Sequence, residues 1–132
     1  MTTTLSTTTS SDSLLRMAMR VDAILSGLCG ITLMAAAGPI SGLTGFPKAA
    51  EFTTGAVFVV YAVVVFLAAR LRHVRTAGIA TAIANLVFTV AAVVVVIALD
   101  MTTAGVVAML ASGVYTLVFA DLQYLGVRRI KA

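Results

Sequence analysis

The sequence predicts an all-α protein, a bundle of four transmembrane helices. Four stretches without any charged residue cover most of the 132 residues, namely 23–47, 52–69, 76–99 and 101–120. Each is close to the roughly 20 apolar residues that an α-helix needs to cross a bilayer. The chain is also 61% hydrophobic and only 11% charged, whereas a soluble domain carries about 25% charged residues. A membrane is therefore the expected environment of this fold.

Helices are favoured over a β-barrel because the strands of a barrel alternate apolar and polar residues. Residues 57–60 and 91–97 are continuous apolar runs without such alternation. In a bilayer every backbone polar group must be hydrogen-bonded within the protein, and a helix achieves this within one segment. We therefore expect a single membrane domain over residues 14–132, with an up-down-up-down order of spans at about 18–38, 50–70, 77–99 and 103–126.

The first span follows a segment, residues 1–13, that consists mostly of Ser and Thr. This segment is too polar to bury and is expected to be a flexible cytoplasmic tail. Asp12 or Ser13 is a suitable N-cap for a helix that starts near Leu14. In an alternative interpretation the first span is a signal peptide cleaved at the alanines 35–37. The apolar run continues past these alanines, which favours a retained span.

The connections between the spans carry turn-forming residues. Residues 38–48 contain three Gly and both Pro residues, so a structured turn is expected there, with Pro47 in the first turn of the second span. Before the fourth span, Asp100 and Thr102 or Thr103 lie where a helix N-cap is needed.

The basic residues predict the orientation of the chain. Lys48 is the only one of the nine that falls on its side of the membrane. The other eight share the opposite side: Arg16, Arg20, Arg70, Arg72, Arg75, Arg128, Arg129 and Lys131. Cytoplasmic loops carry such an excess of Lys and Arg, so we expect both termini in the cytoplasm and a multi-pass protein of the bacterial plasma membrane. These bases attract anionic lipids, and no nucleic acid is expected as a partner.

Two carboxylates and an arginine predict a polar ring near the cytoplasmic ends of the helices. Asp22 has no basic neighbour three or four residues away on its own helix, so it needs a partner on another helix. Arg70 is the nearest candidate in depth, and a salt bridge that locks the first helix to the second is expected. Asp121 needs an interhelical partner for the same reason. The alternative is that these carboxylates couple to a proton or a substrate, because ionisable residues in spans are functional candidates.

A polar stripe runs along the third span at intervals of four residues, formed by Thr81, Asn85 and Thr89. Tyr61 and Tyr115 lie near mid-bilayer, where each hydroxyl needs a hydrogen-bond partner. We expect these groups to hold the helices together, with Asn85 bonded to a Tyr or to a backbone carbonyl. The alternative function of the stripe is to line a path for a polar solute.

Small residues in the spans allow helices to approach closely. This group comprises Ser26, Gly27, Gly30, Gly78 and Gly113. The close contacts are expected either within the bundle or against another protein.

Catalysis is not expected. The single His73 lies among arginines, and the single Cys29 lies in the first span, so no thiol pair exists. One His and one Cys with scattered acids do not form a metal site, and no phosphate-binding loop or nucleophile motif is present. We expect neither a catalytic residue nor a metal, and no cofactor.

Several short motifs resemble those of small four-span integral membrane proteins of actinobacteria. They are residues 20–23, the turn residues 38–39 and 43–47, Asn85, and residues 125–129. Such proteins lack an assigned activity, and some resemble accessory subunits of Mce-type lipid importers. The resemblance implies a non-enzymatic accessory subunit that stabilises a larger bacterial membrane complex, such as a lipid or envelope transporter. The alternative hypothesis is a self-contained, homo-oligomeric transporter or channel for a small solute.

Overall fold

The structure is a computed structural model that describes residues 2–130, and the side chains of residues 11–130. Over this range the chain forms five helices and no strand. They are α1 (Thr2–Ala35), α2 (Ala37–Thr44), α3 (Lys48–Ala68), α4 (Arg75–Ala98) and α5 (Thr103–Arg129). Four of them, all except α2, contain segments that are long and apolar enough to cross a membrane. The predicted all-helical fold with four membrane-length helices is therefore confirmed.

The helix ends differ most from the prediction at the N-terminus. Helix α1 begins at Thr2, so it has no break at residue 13, where the sequence predicted the end of a tail. The membrane-length part of α1 covers Ser11–Ala35. The flexibility of residues 1–13 stays a prediction. Residues 1, 131 and 132, including Lys131, lie outside the described residues.

Residues 37–44 form the short helix α2, where the sequence predicted only a structured turn. Pro39 lies in its first turn, a position at which its missing N–H is not needed for hydrogen bonding. The helix ends at Gly45, whose φ of 76° is left-handed and whose N–H donates to the carbonyl of Ser41. Glycine adopts this conformation without steric cost. The chain then enters α3 with Pro47 at the N-cap position.

The bundle consists of two closely packed helix pairs, α1 with α3 and α4 with α5, which meet mainly along α1 and α5. Within the first pair the backbones approach closely at Gly30, where an added Cβ would lie 2.6 Å from the carbonyl oxygen of Gly55. Between the pairs, an added Cβ on Gly126 would lie 2.7 Å from the Cα of Leu15. Helices α3 and α4 contact each other over a short stretch only.

The two helix pairs are joined at one end by a buried apolar core. This core includes Leu15, Met19, Val65, Val74 and Val127. At the same end Arg16 donates hydrogen bonds to two carbonyls just beyond the end of α3, at 2.7 Å to both Ala69 and Leu71. A cation at this position is favourable because a helix C-terminus carries partial negative charge. We refer to this region as the basic end of the bundle.

The opposite end is joined by Thr102. Its N–H donates to the carbonyl of Thr44 at 3.2 Å, and its hydroxyl donates to the carbonyl of Leu43 at 2.6 Å. The same hydroxyl accepts the N–H of Gly105 at 3.0 Å and so caps α5. Of the N-cap residues that the sequence offered, the structure uses Thr102.

Candidate functional site

Asp22 of α1 is fully buried, with 0% of its surface exposed, and it lies where all four long helices meet. Its Oδ2 atom accepts three hydrogen bonds, one from each of the other helices. Tyr61 of α3 donates at 2.7 Å, Asn85 of α4 at 2.9 Å, and Gln123 of α5 at 2.9 Å. One carboxylate oxygen thus joins α1 to every other membrane-length helix.

The second oxygen, Oδ1, accepts hydrogen bonds from Tyr115 of α5 at 3.0 Å and from Ser26, one turn further along α1, at 3.1 Å. The amide of Asn85 also donates to the side-chain carbonyl of Gln123 and to the Tyr61 hydroxyl. We call this group the Asp22 cluster, and it contains Asp22, Ser26, Tyr61, Asn85, Tyr115 and Gln123.

The donors of the Asp22 cluster suit a negatively charged carboxylate, because an ionised Asp only accepts hydrogen bonds. All five donors are neutral. Among the side chains of residues 11–130 the only ion pair is Arg16 with Asp12, at 2.9 Å. The buried Asp22 is therefore stabilised by hydrogen bonds from neutral groups instead of by a cation. Each of these bonds is strengthened by the low dielectric of the protein interior.

The structure does not bring Asp22, Arg70 and Asp121 together in the expected ring, and no salt bridge forms between Asp22 and Arg70. Arg70 follows the end of α3 and is exposed, with its guanidinium 5.4 Å from the centre of the Phe66 ring. It lies nine residues beyond Tyr61, a separation of about 13 Å along a helix. Asp121 is exposed on the outer surface of α5. The three residues were expected at a similar depth in the membrane, but their side chains do not face one another.

The polar stripe of α4 divides into three separate contacts. Asn85, which is 4% exposed, joins the Asp22 cluster. Thr89 lies within 2.7 Å of the hydroxyl of Thr116 and donates to the carbonyl of Gly113 at 3.1 Å, so it links α4 to α5. Thr81 is also buried, but its hydroxyl donates to Ala77 within its own helix.

The small residues predicted to pack helices differ in how tightly they do so. A Cβ on Gly78 would lie 2.4 Å from a methyl carbon of Leu15, and one on Gly30 would meet backbone. By contrast, added Cβ atoms on Gly27 and Gly113 would lie 3.2 Å and 3.4 Å from alanine Cβ atoms. Ser26 contributes a hydrogen bond to Asp22.

Gln123 is the functional candidate that the sequence analysis missed. It is 0% exposed, although glutamine is rarely buried in this way. Thr116, Ala120, Gln123 and Val127 are all buried, and their spacing of four, three and four residues places them on one face of α5. The position of a Gln on a face of otherwise small and apolar residues was the pattern that could have identified it.

A cavity of about 480 Å³ lies beside the Asp22 cluster, on the side away from the basic end. Four members of the cluster form part of its wall: Ser26, Tyr61, Asn85 and Tyr115. The remaining lining residues are Leu25, Cys29, Val57, Phe58, Ala84, Phe88, Ala111, Ser112 and Thr116. The wall is thus largely apolar, and no Lys, Arg or His belongs to it.

Comparisons of the chain with protein-family models, curated proteins and solved structures give no match. The resemblance to actinobacterial four-span proteins and to Mce-associated subunits stays a prediction. The function must therefore be inferred from the Asp22 cluster and its cavity.

Metal binding is not indicated by the side chains of residues 11–130, since no three His, Cys, Asp or Glu residues come together there. The cluster contains only one carboxylate, and hydrogen-bond donors already occupy both of its oxygens. What this set offers chemically is one buried carboxylate and, between it and the cavity, four side chains that are hydrogen-bonded to it.

Proposed function

We propose that the protein is a self-contained membrane transporter whose cavity beside the Asp22 cluster binds a small amphipathic solute. The single observation that carries this proposal is the position of the cavity, with an apolar wall on most sides and the partners of a buried carboxylate on one side. Binding sites for small molecules are typically such apolar cavities of 300–1,000 Å³ with a few fixed polar groups, so the observed volume of about 480 Å³ fits a small ligand.

The division of the bundle into two helix pairs supports transport rather than binding alone. The pairs are joined by the apolar core at the basic end and by the Asp22 cluster, and Thr102 links α5 to α2 at the other end, while α3 and α4 contact each other over a short stretch only. Alternating access would then require one pair to rotate against the other, with the hydrogen bonds that connect the pairs at Asp22 rearranging. Rocking of one bundle against another around a fixed site is how many transporters work.

We propose that the four spans follow an up-down-up-down path in the bacterial plasma membrane, with both termini in the cytoplasm. The contact of Arg16 with the carbonyls of Ala69 and Leu71 supports this orientation, because it places the N-terminal arginines beside the loop that carries Arg70 and Arg72. Clustered bases mark the cytoplasmic side of a membrane protein.

Two matched fluorinated probes would test the proposed binding site in lipid nanodiscs. They are para-fluorobenzyl trimethylammonium, a cation, and its neutral carbon isostere para-fluoroneopentylbenzene, both followed by fluorine NMR against empty nanodiscs. At least one probe is expected to bind the wild-type protein, and Ala84→Phe, which fills the cavity, should abolish that binding. Ile83→Phe is the control, since Ile83 is the preceding residue on α4 and is 56% exposed outside the cavity. Absence of binding by both probes, or equal loss in both variants, would contradict the proposal.

Asp121 favours a second candidate function, that of a non-enzymatic accessory subunit of a larger membrane complex. It lies in the membrane-length helix α5, seven residues before Arg128 and exposed on the outer surface, which places it about 10 Å deeper than that arginine. A carboxylate facing lipid at this depth is unfavourable, and a basic residue of a partner would remove this cost.

Purification in a mild detergent tests the accessory role directly. A larger membrane protein should co-purify with the wild-type chain in fixed stoichiometry and should be lost from Asp121→Asn. Asp100→Asn is the matched control, because it removes the same charge from the connection between α4 and α5. Recovery of the chain alone, or bound only to copies of itself and lipid, would contradict this second function.

A further inference from the structure

We infer that the ligand of the cavity is an organic cation with a diffuse charge, of the quaternary ammonium or phosphonium class. This inference rests on the proposed binding function and adds the chemical class of the ligand. Three features of the cavity carry it: the charge behind its wall, the direction of its hydrogen-bond donors, and its aromatic rings.

The charge behind the wall is that of Asp22. The carboxylate itself does not line the cavity, but Ser26, Tyr61, Asn85 and Tyr115 do, and each is hydrogen-bonded directly to it. A ligand in the cavity is therefore separated from the carboxylate by a single side chain. No Lys, Arg or His belongs to the cluster or to the cavity wall, so no cationic side chain offsets the charge of Asp22 beside the cavity, and Coulomb interactions are stronger in a protein interior than in water.

The hydroxyl and amide donors of the wall are already in use, including the Thr116 hydroxyl, which donates to the carbonyl of Gly113. The hydroxyls of Ser26, Tyr61 and Tyr115 donate to Asp22, and the Asn85 amide donates within the cluster. The Ser112 hydroxyl donates to the carbonyl of Ala108 on its own helix. A ligand that needs donors, such as a carboxylate, a phosphate or a ketone, finds none of these groups available. Anions are disfavoured twice, by the missing donors and by the charge of Asp22.

The aromatic rings complete the selection for a cation. Four of the lining residues are aromatic, namely Phe58, Tyr61, Phe88 and Tyr115. Phe58 of α3 and Phe88 of α4 meet edge to face, with ring centres 5.4 Å apart. The face of an aromatic ring attracts cations, and cages of such rings are used to bind quaternary ammonium groups.

The apolar wall also distinguishes between kinds of cation. A primary ammonium group needs hydrogen-bond acceptors to replace the water that it loses on binding. The accepting oxygens of Asp22 are fully buried behind the wall and already occupied. A quaternary ammonium or phosphonium ion has no N–H group to satisfy, so it can enter the cavity while it still feels the charge of Asp22.

The matched probes described above test this inference separately from the binding function. Para-fluorobenzyl trimethylammonium should bind the wild-type protein at least about tenfold more tightly than the neutral isostere, which corresponds to about 1.4 kcal/mol. Asp22→Asn, which keeps the shape of the side chain, should reduce this ratio to about one by weakening the binding of the cation. If the neutral isostere binds as well as the cation to the wild-type protein, the inference is wrong while the binding function stands. If neither probe binds, both are wrong.

A second variant keeps the test valid if Asp22→Asn fails to fold. Phe88→Leu removes one ring from the wall and retains an apolar side chain, so it should weaken the binding of the cation severalfold and leave the neutral probe nearly unchanged. Phe52→Leu is the control, because Phe52 is 48% exposed and lies outside the cavity. Equal effects of Phe88→Leu on both probes would contradict a cation–ring contact.

Discussion

Asn85 of α4 donates a 2.9 Å hydrogen bond to the side-chain carbonyl of Gln123 on α5. Both residues also donate to the same Oδ2 atom of Asp22. The pair formed by α4 and α5 therefore presents two linked amides to α1 as one unit. Because Tyr61 of α3 donates to the same oxygen, side chains from both helix pairs are hydrogen-bonded together at Asp22.

Removal of the Tyr61 hydroxyl should destabilise the bundle. Tyr61→Phe deletes the 2.7 Å hydrogen bond to Asp22 and leaves the ring in place, so we expect a loss of about 0.6–2 kcal/mol in the free energy of unfolding. Tyr124→Phe is the matched control, because Tyr124 is 57% exposed and lies outside the Asp22 cluster. Reversible unfolding in detergent micelles measures both variants. A similar loss in both would show that the Tyr61 hydroxyl contributes no specific stability.

The tightness of helix packing predicts different outcomes for two Gly→Ala variants. In Gly30→Ala the new Cβ would lie 2.6 Å from a backbone oxygen, so α1 and α3 must separate. We expect a loss of about 1–3 kcal/mol, as for other overpacked sites. In Gly113→Ala the nearest atom is the Cβ of Ala92 at 3.4 Å, so the new methyl group needs little helix movement and the loss should be clearly smaller than in Gly30→Ala. The same unfolding measurement in micelles compares them, and a reversed order would contradict the described packing.

Much of the fold was predictable because hydrophobic length is encoded locally. A helix that crosses a bilayer needs a continuous apolar stretch, and such a stretch is visible in one segment of the sequence. Helix α2 was missed because Gly and Pro normally indicate a turn. Here Pro39 falls in a first turn and Gly45 just beyond a last turn, where both residues are compatible with a helix.

The candidate site was only partly predictable because it depends on how helices rotate against one another. Asp22, Asn85 and both tyrosines were identified as polar groups that need partners, yet the sequence did not show that they share one carboxylate. Asp22 and Arg70 were paired by depth, whereas Arg70 lies beyond the end of α3. Polarity alone does not separate Gln123 from Asp121 two residues earlier, and of these two it is Gln123 that is buried and Asp121 that is exposed.

Thr102 should stabilise the end of the bundle opposite the basic end. Its hydroxyl both caps α5 and holds the last turn of α2 through the carbonyl of Leu43. Thr102→Val removes both hydrogen bonds, and the loss of a helix cap alone costs about 1 kcal/mol. We expect faster hydrogen exchange of the first backbone amides of α5 and of the amides of α2, measured by mass spectrometry. Thr103→Val, which changes an exposed neighbour, is the control, and equal acceleration in both variants would contradict the cap.

Ligand in the cavity should protect Cys29 from alkylation. Cys29 is the single cysteine of the chain and is part of the cavity wall, so a bound molecule would block the approach of a membrane-permeable maleimide to its sulfur. Labelling should therefore slow in proportion to the fraction of protein occupied by para-fluorobenzyl trimethylammonium. The control carries Cys29→Ser with Leu28→Cys, because Leu28 is 59% exposed and does not line this cavity. The rate at which this control is labelled should not depend on the probe. If a saturating concentration of the probe does not slow the labelling of Cys29 in the wild-type protein, the cation binds elsewhere on the protein.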